Sequence, residues 1–193
     1  PAAARYLLFD RVALGEPDTS VREALQHLAA VADGRRVVVG LGATLLARLG
    51  VRVPGLREQP QWPGAQVAAA ATPAALWCWL RGDDRGDLVH LTRAVEKALA
   101  PALRLPHIVD AFRHHEGRDL TGYVDGTENP SPEAAPAVAC VGRAAGAGLS
   151  GSSFVAVQQW VHDFERFDAL GSHAQDLAIG RRDLGPINLC SGK

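Results

Sequence analysis

Apolar and polar positions along the chain alternate between short strand-length runs and longer helical stripes. Residues 4–9 form a compact apolar run that reads as a strand, and residues 36–40 form a second one, β-branched and abruptly ended. Between them Ser20 and Glu23 read as a capping box ahead of Val21, Ala24, Leu25 and Leu28, with Gly34 closing that helix. Residues 44–49 read as a short helix, and residues 51–64, rich in Pro and Gly, as a loop. Residues 75–80 give a third strand. Asp87 is placed to cap a helix carrying Leu88, Leu91, Val95 and Leu99 at helical spacing, and residues 106–112 give a fourth strand.

That order, β-α-β-β-α-β, is the ferredoxin-like unit. The expected fold class is therefore α+β, with a first domain over residues 1–115. Its antiparallel sheet should be covered on one face by helices at 20–33 and 87–99, whose apolar stripes need a sheet to bury them. Residues 116–193 read as a glycine-rich loop followed by the start of a second such unit. Residues 151–160 read as a strong strand, and Asp163 as the start of a helical stretch through Phe164, Phe167 and Leu170. Ser172 with Gln175 reads as a capping box opening a short helix that ends at Gly180. Residues 182–193 show no strand periodicity, so this second half is expected to be incomplete.

Composition narrows the class. A chain of 193 residues, 47% hydrophobic and 21% charged, can bury a core and reads as an ordinary globular protein. A formal net charge of −1, with no Lys/Arg run, points away from nucleic acid and anionic membranes. No apolar stretch approaches a membrane span, and nothing at the amino end reads as a signal peptide. Cys78, Cys140 and Cys190 are odd in number and far apart, which fits a reducing cytoplasmic setting. With no methionine in the chain, Pro1 is expected not to be the natural start.

The chemistry concentrates in Gly122-Tyr123-Val124-Asp125-Gly126-Thr127-Glu128-Asn129-Pro130, where two glycines bracket a lone acid. Glycine admits backbone conformations closed to other residues and lets a flat ligand approach the main chain. A carboxylate on such a loop suits acid–base work, although a plain Asx-turn would use the same residues. Gly117-Arg118-Asp119-Leu120-Thr121 runs directly into this stretch. Downstream come residues 151–163, ending in Gln158-Gln159-Trp160-Val161-His162-Asp163, and then Ile179-Gly180-Arg181.

These blocks, in this order and spacing, resemble the dye-decolorizing peroxidases of bacterial type, haem enzymes that reduce hydrogen peroxide. The resemblance covers nearly the whole chain up to about Arg182. It implies two ferredoxin-like halves, a dimeric α/β-barrel arrangement, here complete in the first half only. It implies haem b as cofactor, hydrogen peroxide and a small aromatic donor such as a dye or phenol as partners, and a homo-oligomer. The family's axial histidine and distal arginine lie beyond the Ile-Gly-Arg block. No position of this chain matches either, so the chain reads as truncated before the axial histidine.

By resemblance Asp125 is the distal acid, which would move a proton from one peroxide oxygen to the other. Asp125, Gly126, Thr127, Gln158 and Arg181 are the candidate haem-contacting residues. Arg181 would pair with a propionate, or would simply be a cation complementing a helix end. Gln158 and Trp160 would share one face of the strand at 151–160, lining a pocket or packing a core. His162 is expected to cap or pack the following helix. His173 is the candidate for a substitute axial ligand. His114 and His115, as strand neighbours, would point apart and could not share a metal ion. Gly40-Leu41-Gly42-Ala43-Thr44-Leu45 lacks the third glycine of a dinucleotide loop and reads against a nucleotide site. The rival function is a ferredoxin-like binding or assembly module that does not use haem.

Overall fold

The computed structural model describes residues 1–12, 18–61, 70–100 and 102–180. Four strands form one antiparallel sheet: β1 (Ala3–Arg11), β2 (Val37–Leu41), β3 (Leu76–Gly82) and β4 (Leu103–Phe112). Their spatial order is β2-β3-β1-β4, with β1 paired to β3 and β4, and β3 to β2. Helices α1 (Asp18–Ala29), α2 (Ala43–Arg48) and α3 (Arg85–Leu99) complete a β-α-β-β-α-β chain, with α2 inserted before β3. This is the ferredoxin-like unit that the pattern predicts.

Period-two alternation explains how the sheet acquires an inside. Leu7 and Phe9 on β1, and Leu76, Cys78 and Leu80 on β3, are buried against Val21, Ala24 and Leu28 of α1 and Leu88, Val95 and Leu99 of α3. The intervening positions Tyr6, Trp77 and Trp79 form an aromatic cluster on the opposite face, with Tyr6 and Trp77 stacked at 5.9 Å. Thr92 is the polar member of the buried set, and its hydroxyl donates to the Leu88 carbonyl at 2.8 Å.

β4 begins at Leu103, earlier than expected, because an irregularity absorbs Pro106. Leu8 pairs with His107 and Asp10 with Arg104, so Leu105 and Pro106 together oppose Phe9. β4 is an edge strand, where a missing N–H is tolerated.

Three capping expectations are corrected. α1 starts at Asp18, so Ser20 lies inside its first turn. The helix ends at Ala29, and Gly34 (φ 68°) serves the turn into β2 instead. In that turn Asp33 Oδ1 accepts from the backbone N–H of Arg35, Arg36 and Val37. For α3 the cap is Asp84, whose carboxylate accepts the N–H of Asp87 at 2.9 Å. At α3 Asp84 and Asp87 are both able caps, and Asp84 is the one whose carboxylate meets a free helix N–H.

The chain divides into two compact units, Pro1–Phe112 and Arg113–Lys193. The second contains α4 (Ala135–Ala139), a 3₁₀ turn at Arg143–Ala145, α5 (Phe164–Asp168) and α6 (Ser172–Ile179). The strand expected at residues 151–160 is absent: every residue there is exposed and none belongs to a ladder. A strand exists only as one side of a hydrogen-bonded ladder, and among the described residues the backbone pairing here is confined to Val141 with Gly151 and Ser152. Without pleated pairing, Gln158 and Trp160 do not share a sheet face. α5 and α6 form where expected, with Asp163 capping α5 and Gly180 ending α6 in a left-handed conformation. The proposed box at Ser172 is replaced by Gly171 as cap, and Gln175 donates instead to the Phe167 carbonyl at 3.0 Å. Among the described residues no helix is long and apolar enough to cross a membrane.

Candidate functional site

The loop after β4 is built by reversals at glycine. Gly117 (φ 106°) turns the chain, and its N–H and that of Arg118 both donate to the His114 carbonyl. A bridge between Arg118 and Val124 then closes a small loop. Inside it the Asp119 N–H donates to the Tyr123 carbonyl, and the Gly122 N–H to the Asp119 carbonyl, each at 2.9 Å. Asp119 Oδ1 accepts from the Thr121 N–H at 2.8 Å and from the Thr121 hydroxyl at 2.7 Å. The Asx-turn of this region therefore belongs to Asp119.

Asp125 is left for other work. It is exposed, and its Oδ1 accepts from the N–H of its own neighbour Gly126 at 2.8 Å. Gly126 takes a φ of 73°, and a Cβ there would run into the Asn129 carboxamide. Glycine is thus required twice at this position, by conformation and by space. The Asn129 N–H returns to the Gly126 carbonyl at 3.0 Å, which makes residues 126–129 a tight turn with Thr127 exposed within it.

Two long-range links brace this loop. Tyr123, almost fully buried, donates its hydroxyl to Asp176 Oδ1 of α6 at 2.8 Å and meets the Phe167 ring edge-on at 6.3 Å. His162 Nε2 lies 3.2 Å from each carboxylate oxygen of Asp119, and its ring stacks on Phe164 at 5.0 Å. Burial pushes the Asp119 carboxyl up, but the Thr121 donors and His162 outweigh it and hold the group below the usual carboxylate range.

The expected residues are distributed unevenly. Asp125, Gly126 and Thr127 are contiguous on the loop, Gln158 lies in the exposed irregular segment, and His173 is exposed in the first turn of α6. Arg181 lies outside the described residues. His162 packs as expected, but its partner Asp119 was not anticipated. The signal available was Asp119-Leu120-Thr121, the spacing of an Asx-turn, and nothing local tied it to residue 162. His114 and His115 follow β4 in a turn, not a strand, and their rings lie together at 4.1 Å. Alternation therefore does not separate them. Even so, no group of three or more His, Cys, Asp or Glu able to hold a metal ion occurs among the described residues.

The braced loop coincides with a family match. Residues 116–192 match the family described as Dyp-type peroxidase, C-terminal. Over 170 residues the chain is 32% identical to a dye-decolorizing peroxidase of Mycobacterium tuberculosis, covering 87% of this chain and 48% of that protein. The chain is thus similar to dye-decolorizing peroxidases over most of its length, and to the C-terminal part of that family over residues 116–192. A second such peroxidase, from Rhodococcus erythropolis, is 34% identical over 160 residues, with 82% of this chain and 47% of the relative covered. Among solved structures, a DypB variant of Rhodococcus jostii in complex with heme superposes with a TM-score of 0.78 at 28% identity. That match covers 95% of this chain and 62% of the other. The chain thus spans about half the length of the curated relatives it matches.

Proposed function

We propose that this chain carries the distal, proton-handling side of a haem-dependent peroxidase site, with hydrogen peroxide and a dye or phenolic donor as its substrates. The observation that carries this reading is the exposed Asp125 carboxylate on a glycine-bracketed turn, inside the segment that matches the family. The fit to haem is one-sided. The acid stands exposed on its turn and open to a ligand, although the Asn129 carboxamide fills the space beside Gly126. The second unit, in contrast, buries none of its described histidines: His114 and His162 are half-buried, His115 and His173 exposed.

Haem, when bound, supplies the iron that passes electrons from the donor to peroxide. Asp125 would contact the peroxide and carry a proton from its first oxygen to its second. Over the full reaction peroxide would take two electrons from the donor and two protons to give two waters, with Asp125 relaying the proton between the oxygens. Gly126 and Thr127 would bring the main chain against the macrocycle, and Gln158 and Arg181 would contact its rim, Arg181 at a propionate. No residue of this chain matches the family's iron ligand, and the exposed His173 would be a substitute only. A homo-oligomer and a cytoplasmic location belong to the same reading, supported by an exposed apolar run at Phe154, Val155, Val157 and Trp160 and by free cysteines.

A second reading, a ferredoxin-like binding module that does not use haem, is favoured by the same lack of a buried histidine. Titration of the full chain with hemin separates the two. The peroxidase reading expects a saturable Soret band and peroxide-dependent dye oxidation that Asp125→Ala slows while haem content holds. His173→Ala should abolish the band. No saturable band would leave the binding module, and loss of haem in Asp125→Ala would make Asp125 structural.

A further inference from the structure

Among the described residues the Asp125 carboxylate accepts one hydrogen bond, from the N–H of its own neighbour Gly126. Its position must therefore be set by the backbone on either side. After it comes the turn at Gly126 and Asn129; before it comes the loop from Arg118 to Val124, in which Arg118 Nη1 also donates to the Gly122 carbonyl at 2.9 Å. Asp119 is the hub of that loop. Its N–H, its carbonyl and both carboxylate oxygens are engaged, with Tyr123, Gly122, Thr121 and His162 as partners. His162 stands 43 residues away, at the entry to α5, so this pair is a tertiary tie and not a local turn.

We propose that Asp119 and His162 form a positioning pair for Asp125: they touch neither peroxide nor cofactor, and hold the loop that presents the acid. The inference rests on the proton-handling reading of Asp125 given above. Its physical basis is that a reacting group must be held to a fraction of an ångström, and a misplacement of about 1 Å can cost roughly a hundredfold in rate. An exposed carboxylate on a short loop meets that demand only if the loop is tied to something rigid. His162 is fixed by its stack on Phe164, and Phe164 opens α5. The tie therefore passes the rigidity of α5 through His162 and Asp119 to the strand-like bridge at Val124, next to Asp125.

The test has two arms on the full chain. In the first, backbone hydrogen exchange is followed by NMR in Asp119→Asn, His162→Gln and the double variant. Loss of a hydrogen bond to a charged group should speed exchange at Thr121, Gly122 and Asn129 roughly tenfold. The double variant should be no worse than either single one, and the β1 and β3 amides should be unchanged. Additive effects, or exchange unaltered at the loop in His162→Gln, would overturn the pairing. If Asp119→Asn does not fold, Thr121→Val and His162→Gln probe the same tie from its other ends. In the second arm, the hemin-loaded protein is assayed for peroxide consumption. The pair variants should slow it at constant haem content, and should cause no further slowing in an Asp125→Ala background. Further slowing there would sink the positioning role. If hemin does not bind at all, only the peroxidase reading fails, and the exchange arm still decides the pairing.

Discussion

His162 Nε2 lies 3.2 Å from both carboxylate oxygens of Asp119, joining two parts of the second unit that are 43 residues apart in the chain. The same carboxylate takes both donors of Thr121. Although burial opposes ionisation, these partners hold Asp119 below the ordinary carboxylate range.

That shift has a sign. The folded chain keeps Asp119 ionised where the unfolded chain, with a carboxyl pKa near ~3.9, begins to take up a proton. Its contribution to stability is therefore fully present above about pH 4 and lost as pH falls through the lower folded value. Asp110 shifts the same way, chiefly through its hydrogen bond with Arg5 at 2.6 Å, so the first unit loses stability in the same window. Asp119→Asn should flatten the acid limb of unfolding for the second unit and leave that of the first. Denaturation between pH 5 and 2.5, read by exchange at amides of each unit, checks this.

Gly126→Ala should destabilise the loop by about 1–2 kcal/mol, because alanine resists a left-handed backbone. Contact with the Asn129 carboxamide adds to this. Gly142→Ala is the control: its φ is −71° and nothing lies within 4 Å of the added Cβ, so its effect should stay within about 0.5 kcal/mol. Chemical denaturation of both variants gives the comparison. Combining Gly126→Ala with Asn129→Ala should recover the steric part only.

Thiol reactivity should differ sharply between two cysteines. Burial pushes the Cys78 thiol up to about 12, whereas Cys140 is exposed. The thiolate is the reactive form, so iodoacetamide near neutral pH should label Cys140 rapidly and Cys78 only after unfolding. Peptide mapping by mass spectrometry at successive times distinguishes the two sites. Equal rates would mean that the sheet opens readily around β3.

Phe9→Ala should cost about 3–5 kcal/mol, since the ring is fully enclosed and the cavity cannot collapse without moving α1 and α3. Phe112→Ala, at 68% exposure, should stay within about 0.5 kcal/mol. The shift in denaturation midpoint, followed by circular dichroism, measures both. A large loss at Phe112 would show that this end of β4 is covered in solution.

The first unit was legible because its signals are local. Alternation in β1 and β3 and the stripes of α1 and α3 each declare a buried face within a few residues, and the sheet order follows from short connections. Helix starts were less legible. Asp84 and Asp87 are both able caps, and only the packing of Leu88 and Val95 onto the sheet decides which one stands at the end. Residues 151–160 fail for the opposite reason. Their composition favours a strand, but a ladder needs a continuous neighbour, and among the described residues Val141 pairs only with Gly151 and Ser152.

In the loop the division is equally clear. The sequence by itself determined that Asp125 lies between glycines on a turn, and that Gly126 must be glycine, because φ and Cβ sterics are properties of a few consecutive residues. The Asx-turn of Asp119 is equally local, written in the Asp119-Leu120-Thr121 spacing. Tertiary structure alone decided that Asp119 meets His162, and that Tyr123 meets Asp176 across 53 residues. Contacts at that separation depend on where α5 and α6 come to rest, and no local pattern of polar and apolar residues encodes that placement.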